Sequence, residues 1–249
     1  MTVAKCPRFT RLRRSVRATV AVLAAGLIAV AAAACASPPR AAAEVSAEDT
    51  GQAPRPAGHA KDLPAALAED GTTIVVGKQD APHTVRIAVD AQCGYCAKFE
   101  TGGGQAVAKA VAAGKLKAEY TLASFLDRGE VAGSTRAANA LRAALEQGKF
   151  AEYQEAVFTA QGSEEAEGFT NAFLLRLASQ VEGLRGDAFD RAVGELSYRD
   201  WVDASLKAFQ SSGEKSVPAV FLDGTKVADG DVLFDAADFA ELLKNEGVA

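Results

Sequence analysis

The sequence predicts an α/β fold in which strands at both ends of the folded part enclose a helical block. Three observations carry this. Strand-like, β-branched runs stand at Thr72–Val76 and Val85–Val89, and an alternating run follows at Leu116–Leu122. Helically spaced apolar residues then fill the stretch from Ser134 to Ser212. After it the chain returns to a strand at Ala219–Leu222. Asp223-Gly224 is a two-residue hairpin signal, and Thr225-Lys226-Val227 continues the pattern.

The N-terminal part reads differently. Residues 1–35 carry Lys5, Arg8, Arg11, Arg13, Arg14 and Arg17 and no acid. The whole chain has a net charge of −5, so the remainder is more acidic than the total. An acidic body argues against nucleic-acid binding. The apolar run from Val20 to Ala34 is short for a membrane span. With its basic prelude it predicts an export signal over 1–35, and Arg13-Arg14 reads as part of a plain basic leader. Residues 36–62, rich in Ala, Pro, Gly and Glu without apolar periodicity, predict a disordered tether in which His59 is a solvated residue. The folded part is expected over 63–249. With 49% hydrophobic residues in the chain, an ample core is available.

The elements follow in order. Gly77–Pro82 turns the chain between the first two strands, and His83 stands at the entrance to the second as a turn or edge residue. A helix is expected from Cys93 toward Ala113. Gly102-Gly103-Gly104 interrupts it, each glycine weakening a helix by about 1 kcal/mol relative to alanine. No Gly-Lys-Ser/Thr follows, so a kink or break is predicted rather than a phosphate loop. Ser134 is placed to cap a helix carrying Ala138, Leu141 and Leu145 that ends at Gly148. Phe150, Tyr153, Val157 and Phe158 keep helical spacing. Thr170 caps a helix with Phe173, Leu174 and Leu177. Phe189 and Val193 mark another, and Trp201, Leu206 and Phe209 mark the last of the block. Asp235 caps a final helix with Phe239, Leu242 and Leu243.

Chemistry concentrates at Cys93-Gly94-Tyr95-Cys96. The pair follows a strand and opens a helix. A helix N-terminus presents unpaired N–H groups and the positive end of the macrodipole, so a thiolate there is stabilised. Cys96 lies one turn on and can close a disulfide with Cys93. The other cysteines are Cys6 and Cys35, both in or at the edge of the export signal. The mature exported chain therefore keeps one close pair, in an oxidising compartment. A bridge between residues three apart closes a tiny loop and stabilises little, so the pair reads as chemical, exchanging electrons with other proteins' thiols and disulfides. Metal readings are poor. Asp229 and Asp231 leave most calcium-ligand positions unfilled, and a structural zinc needs more ligands than the chain offers. A Cu(I) carrier stays an alternative from a different class, although the only Met is Met1 and the only histidines are His59 and His83.

Three phrases together resemble the DsbA-like thiol–disulfide oxidoreductases. They are Asp90-Ala91-Gln92-Cys93-Gly94-Tyr95-Cys96-Ala97-Lys98-Phe99-Glu100, then Ser134-Thr135-Arg136-Ala137-Ala138-Asn139-Ala140 with Gly148-Lys149-Phe150, then Val217-Pro218-Ala219-Val220-Phe221-Leu222-Asp223-Gly224. The resemblance spans roughly residues 70 to 245. It implies a thioredoxin fold with a helical domain inserted between its halves, at about 124–196. Cys93 matches the exposed nucleophile and Cys96 the buried resolving partner. Pro218 matches the cis-proline beside the disulfide, preceded by Val217; taken alone, Pro218 also suits a trans proline opening an edge strand. Gly94 and Tyr95 fill the dipeptide between the cysteines, where many relatives have proline first. Gly-Tyr is similar instead to the DsbC-type isomerases. Asp90, three residues before Cys93, reads either as a turn or capping acid or as a proton relay to Cys96.

The resemblance implies an oxidase of cysteine pairs in exported proteins, without a cofactor, reoxidised by a membrane partner of the DsbB or VKOR type. An isomerase or reductase is the alternative. The short tether leaves no room for an isomerase's dimerisation domain, so a monomer is expected. Ala33-Ala34-Cys35-Ala36 resembles a bacterial lipobox, which implies that Cys35 is lipidated and holds the chain on the outer face of the cytoplasmic membrane. Ordinary signal cleavage would leave a secreted protein.

Overall fold

The computed structural model describes residues 54–128, 132–161, 168–228 and 230–248. The export signal with Cys6 and Cys35, the tether up to residue 53, and Asp229 lie outside the described residues.

Alternating side chains set the sheet. In β4 (Leu116–Leu122) every second residue, Leu116, Ala118, Tyr120 and Leu122, is buried. In β3 (His83–Val89), Val85, Ile87 and Val89 do the same. The two strands run parallel, Val85 opposite Ala118 and Ile87 opposite Tyr120. A parallel pair needs a crossover, and α1 (Gly94–Thr101) with α2 (Gly103–Ala112) supplies it. The strand order is β1-β2-β4-β3-β5-β6, with β1 at Ala65–Leu67, β2 at Ile74–Val76, β5 at Ala219–Leu222 and β6 at Thr225–Lys226. β2 pairs antiparallel with β4, and β5 antiparallel with β3. The sheet thus joins chain from both sides of the helical block. Asp223 and Gly224 both have positive φ, as the hairpin turn between β5 and β6 requires. Asp223 also takes the imidazole Nδ1 of His83 at 2.7 Å, pinning the start of β3 to the hairpin.

The helical block comprises α3 (Gly133–Glu146), α4 (Phe150–Ala160), α5 (Asn171–Ala178) and α6 (Asp187–Glu195). α7 (Arg199–Ser211) returns to the sheet, where the Ser205 hydroxyl donates to the Leu122 carbonyl at 2.9 Å. α8 (Ala236–Asn245) packs on α2, its Phe239 edge-on to Phe99 of α1. One continuous core runs from Ile87 and Tyr120 in the sheet through Phe150, Tyr153 and Phe173 in the block. Each such aromatic or aliphatic side chain, moved from water to full burial, contributes about 1.5–3 kcal/mol.

One strand adds to the expected elements, the expected helix break is present, and two expectations need correction. β1 is not legible in the sequence, since Ala65–Leu67 is too short and too plain to show a strand pattern. The glycine run breaks the helix at Gly102 because α1 and α2 meet the segment before α8 there. A Cβ on Gly102 would lie 2.2 Å from the Phe234 carbonyl oxygen. Ser134 is not the cap of α3: that helix starts at Gly133, and the Ser134 hydroxyl turns away to Asp90. The last residues assigned to the tether are fastened to the domain, the backbone N–H groups of His59 and Ala60 donating to the Glu155 carboxylate. His59 is accordingly half-buried rather than solvated.

Candidate redox-active site

β3 ends at Val89, and the chain must turn into α1 within four residues. Asp90 makes that turn possible. Its buried carboxylate accepts the Gln92 N–H at 2.9 Å, the Leu126 N–H at 3.1 Å and the Ser134 hydroxyl at 2.6 Å. Burial pushes the Asp90 carboxyl up, opposed by these hydrogen bonds. With its lone pairs engaged in the loop, Asp90 has the geometry of a turn acid.

Cys93 follows as the N-cap of α1, with extended backbone (φ −83°, ψ 112°). It is half-buried, and Cys96 is fully buried one turn further on. Both are free thiols in this structure. Their electrostatics diverge. The Cys96 thiol donating to the Cys93 sulfur, with the N–H groups of Cys96 and Tyr95, pulls the Cys93 thiol down to about 6 against the cost of its burial. Burial, and the neighbouring Cys93 sulfur, push the Cys96 thiol up. One sulfur is thus a thiolate at neutral pH and the other stays protonated.

On the far side stands Val217-Pro218, joined by a cis peptide bond. The Val217 carbonyl lies 3.5 Å from Cys93 Sγ. Beside it a groove of about 270 Å³ is lined by Tyr95, Ser216, Val217, Pro218, Leu233 and Phe234. Tyr95 is 60% exposed, the only large hydrophobic residue so displayed among the described residues. Its ring tilts against Phe234 at 5.8 Å, and Lys98 Nζ lies 5.1 Å from its centroid. Gly94 is exposed beside it with open space where a Cβ would stand.

The structure therefore brings Cys93, Cys96, Gly94, Tyr95, Val217 and Pro218 to one place, with Asp90 beneath them. Several residues at the site carried no sequence signal. Asp127, in the loop after β4, accepts the N–H groups of Ser134 and Thr135 at the start of α3 and one proton of the Gln92 side-chain amide. Glu100, one turn beyond Cys96, receives hydrogen bonds from Tyr120 and Gln154 and lines a cavity of about 50 Å³. Burial pushes its carboxyl up to about 8. Phe234 forms part of the groove wall. Asp127 and Phe234 reach the site only through tertiary packing. A charge at helical position 100 looks like any solvated residue from sequence alone.

Comparison with known proteins gives a consistent picture. A family model described as Thioredoxin matches residues 69–245. No curated protein sequence matches the chain. Among solved structures, oxidised BdbD from Bacillus subtilis superposes with a TM-score of 0.59 at 20% identity, covering 74% of this chain and 97% of that one. MdbA from Actinomyces oris, a thiol-disulfide oxidoreductase, gives 0.61 at 20% identity, with 74% and 92% covered. The reduced form of the disulfide bond oxidoreductase DsbG from Mycobacterium tuberculosis gives 0.57 at 23%, with 70% and 86% covered. At these identities the likeness establishes the fold, a thioredoxin fold with a helical insertion.

Proposed function

The chain belongs to the thioredoxin family, and from that premise we propose that it is an extracytoplasmic thiol–disulfide oxidoreductase that oxidises cysteine pairs in exported proteins through a Cys93–Cys96 disulfide. The observation that carries the reading is the unlike pair of thiols one helical turn apart, with Cys93 held at about 6 and half-exposed beside the Val217 carbonyl. A substrate thiolate attacks Cys93 Sγ of the disulfide; the Cys93–Cys96 bond breaks, and Cys96 leaves and takes a proton. A second substrate thiolate then attacks the substrate's sulfur in the mixed disulfide and expels Cys93 as a thiolate. The substrate loses two electrons and the cysteine pair gains them. A low-pKa thiol leaves fast and stabilises the reduced enzyme, which favours this direction.

The Val217 backbone and the groove walled by Tyr95 and Phe234 offer an extended substrate segment a place beside the sulfurs. The reading extends to the parts beyond the fold. A lipid on Cys35 anchors the chain outside the cytoplasmic membrane through the residues that follow, and a membrane partner of the DsbB or VKOR type restores the disulfide. The Gly94-Tyr95 dipeptide favours a second reading, an isomerase or reductase.

Equilibrating the purified protein with glutathione buffers separates the two. The oxidase reading expects a potential well above thioredoxin's, nearer roughly −120 mV than roughly −270 mV. A value at the thioredoxin end overturns the oxidase in favour of the reductase.

A further inference from the structure

Gln92, the residue immediately before the nucleophile, is held from three directions by the helical block and the loop that leads to it. Its side-chain amide has two protons. One goes to Asp127 Oδ1 at 3.1 Å, the other to Ser134 Oγ at 2.9 Å. Ser134 passes its own proton to Asp90 Oδ1 at 2.6 Å, and Asp90 accepts the Gln92 backbone N–H. The Gln92 carbonyl in turn accepts from the Gln161 amide, at the end of α4, at 3.4 Å. The donors of this network converge on two carboxylates, Asp90 and Asp127.

The fit is close. A Cβ on Gly133 would stand 2.6 Å from Gln92 Oε1 and 2.8 Å from the Gly168 carbonyl carbon, so a side chain there would displace the amide or the backbone beside it. The chain is also tied to the helix itself. The N-cap of α3 is Ala132, which has no capping side chain. Asp127 fills that role from outside by taking the Ser134 and Thr135 N–H groups. A single carboxylate thus caps α3 and grips the cysteine loop.

We propose that Gln92, Asp127 and Ser134 are positioning residues for Cys93, forming a polar latch by which the helical block holds the nucleophile at the α1 N-terminus. The proposal rests on the redox reading of the Cys93–Cys96 pair. The thiolate depends on the Cys96 thiol and on the N–H groups of Cys96 and Tyr95, donors that converge on one spot. A sulfur that wanders from that spot loses them. The latch ties Gln92 by both its backbone and its side chain, leaving the Cys93 backbone little freedom. The titratable groups bordering Cys93 are Cys96 on its own helix and Asp90 at the end of β3, and Asp127 faces Asp90 from the loop after β4.

The test is the pH profile of Cys93 alkylation by iodoacetamide in the reduced full chain, read by mass spectrometry of the Cys93 peptide. Two variants are compared with wild type, each checked for fold by circular dichroism. Gln92→Met keeps length without donors or charge. Asp127→Ala removes the acceptor. For both, the latch predicts alkylation about threefold to fivefold slower at pH 6, converging on wild type above about pH 9 as the thiol ionises in every form. Charge alone predicts the reverse for Asp127→Ala, since losing a nearby negative charge favours the thiolate. A wild-type profile in Gln92→Met overturns the proposal, as does faster alkylation in Asp127→Ala. If Asp127→Ala does not fold, Gln92→Met decides alone. Failure of the redox reading shows separately, as a wild-type protein that does not equilibrate with glutathione, whatever the variants' alkylation rates.

Discussion

At the scale of single residues the site runs on unequal burial. Cys93 and Cys96 share a helix turn, yet one sulfur faces N–H donors and the other is sealed in the core. Glu100 extends the pattern one turn further. Its carboxyl sits against Tyr120 and Gln154 without a basic partner among the contacts it makes there, and burial raises it to about 8. Below about pH 4.3 it is neutral in both folded and unfolded chains. Between there and pH 8 only the unfolded chain is ionised, so Glu100 lowers stability progressively as pH rises, and the loss levels off above 8. Glu100→Gln keeps the shape and removes the charge. Its melting temperature, measured from pH 4 to 9, is expected to gain on wild type as pH increases. Parallel curves would mean that Glu100 titrates normally.

At the scale of elements, close approach explains what propensity does not. Gly102 breaks the crossover between α1 and α2 because the backbone at Phe234 occupies the space a side chain would need. An alanine normally favours a helix over glycine, but here the added methyl meets a carbonyl. Gly102→Ala is expected to destabilise the protein by about 1–3 kcal/mol in urea denaturation, against the helix scale. A neutral or stabilising result would show that the segment before α8 gives way easily. The same lesson applies to α3. From sequence, Ser134 is the natural cap, since a serine before an apolar helical run is the usual signal. The structure gives the capping to Asp127, seven residues earlier, because the Ser134 hydroxyl is engaged by Asp90 across the loop. Such a substitution is invisible until the loop's path is known. Thr170 and Asp235, whose caps are local, were legible: each accepts N–H groups of its own helix.

At the scale of the molecule, the helical block divides a fold whose halves meet again in the sheet. β3 and β5 are some 130 residues apart in sequence and antiparallel neighbours in space, Ile87 opposite Val220. That pairing sets Val217-Pro218 opposite Cys93. The strands, the helical stretch and the hairpin could be read from periodicity and turn residues, because their signals are local. The cysteine pair could be read because it stands at a strand-to-helix junction. What could not be read is how the block reaches back to the site: the grip of Asp127 and Ser134 on Gln92, and the groove wall from Phe234. Those contacts join residues whose own neighbours give no hint of them.

The central claim is that Cys93 is the sulfur that bonds to substrate and Cys96 the partner displaced from it. Its most direct test traps the mixed disulfide. In cells producing Cys96→Ala, the Cys93 thiolate attacks disulfides of exported proteins and displaces one substrate sulfur; without Cys96 to attack in return, these adducts are expected to accumulate on Cys93, separable by non-reducing electrophoresis and mapped by mass spectrometry. Cys93→Ala is expected to trap none. Adducts on Cys96 in the Cys93→Ala variant, or none on Cys93 in Cys96→Ala, would contradict the account.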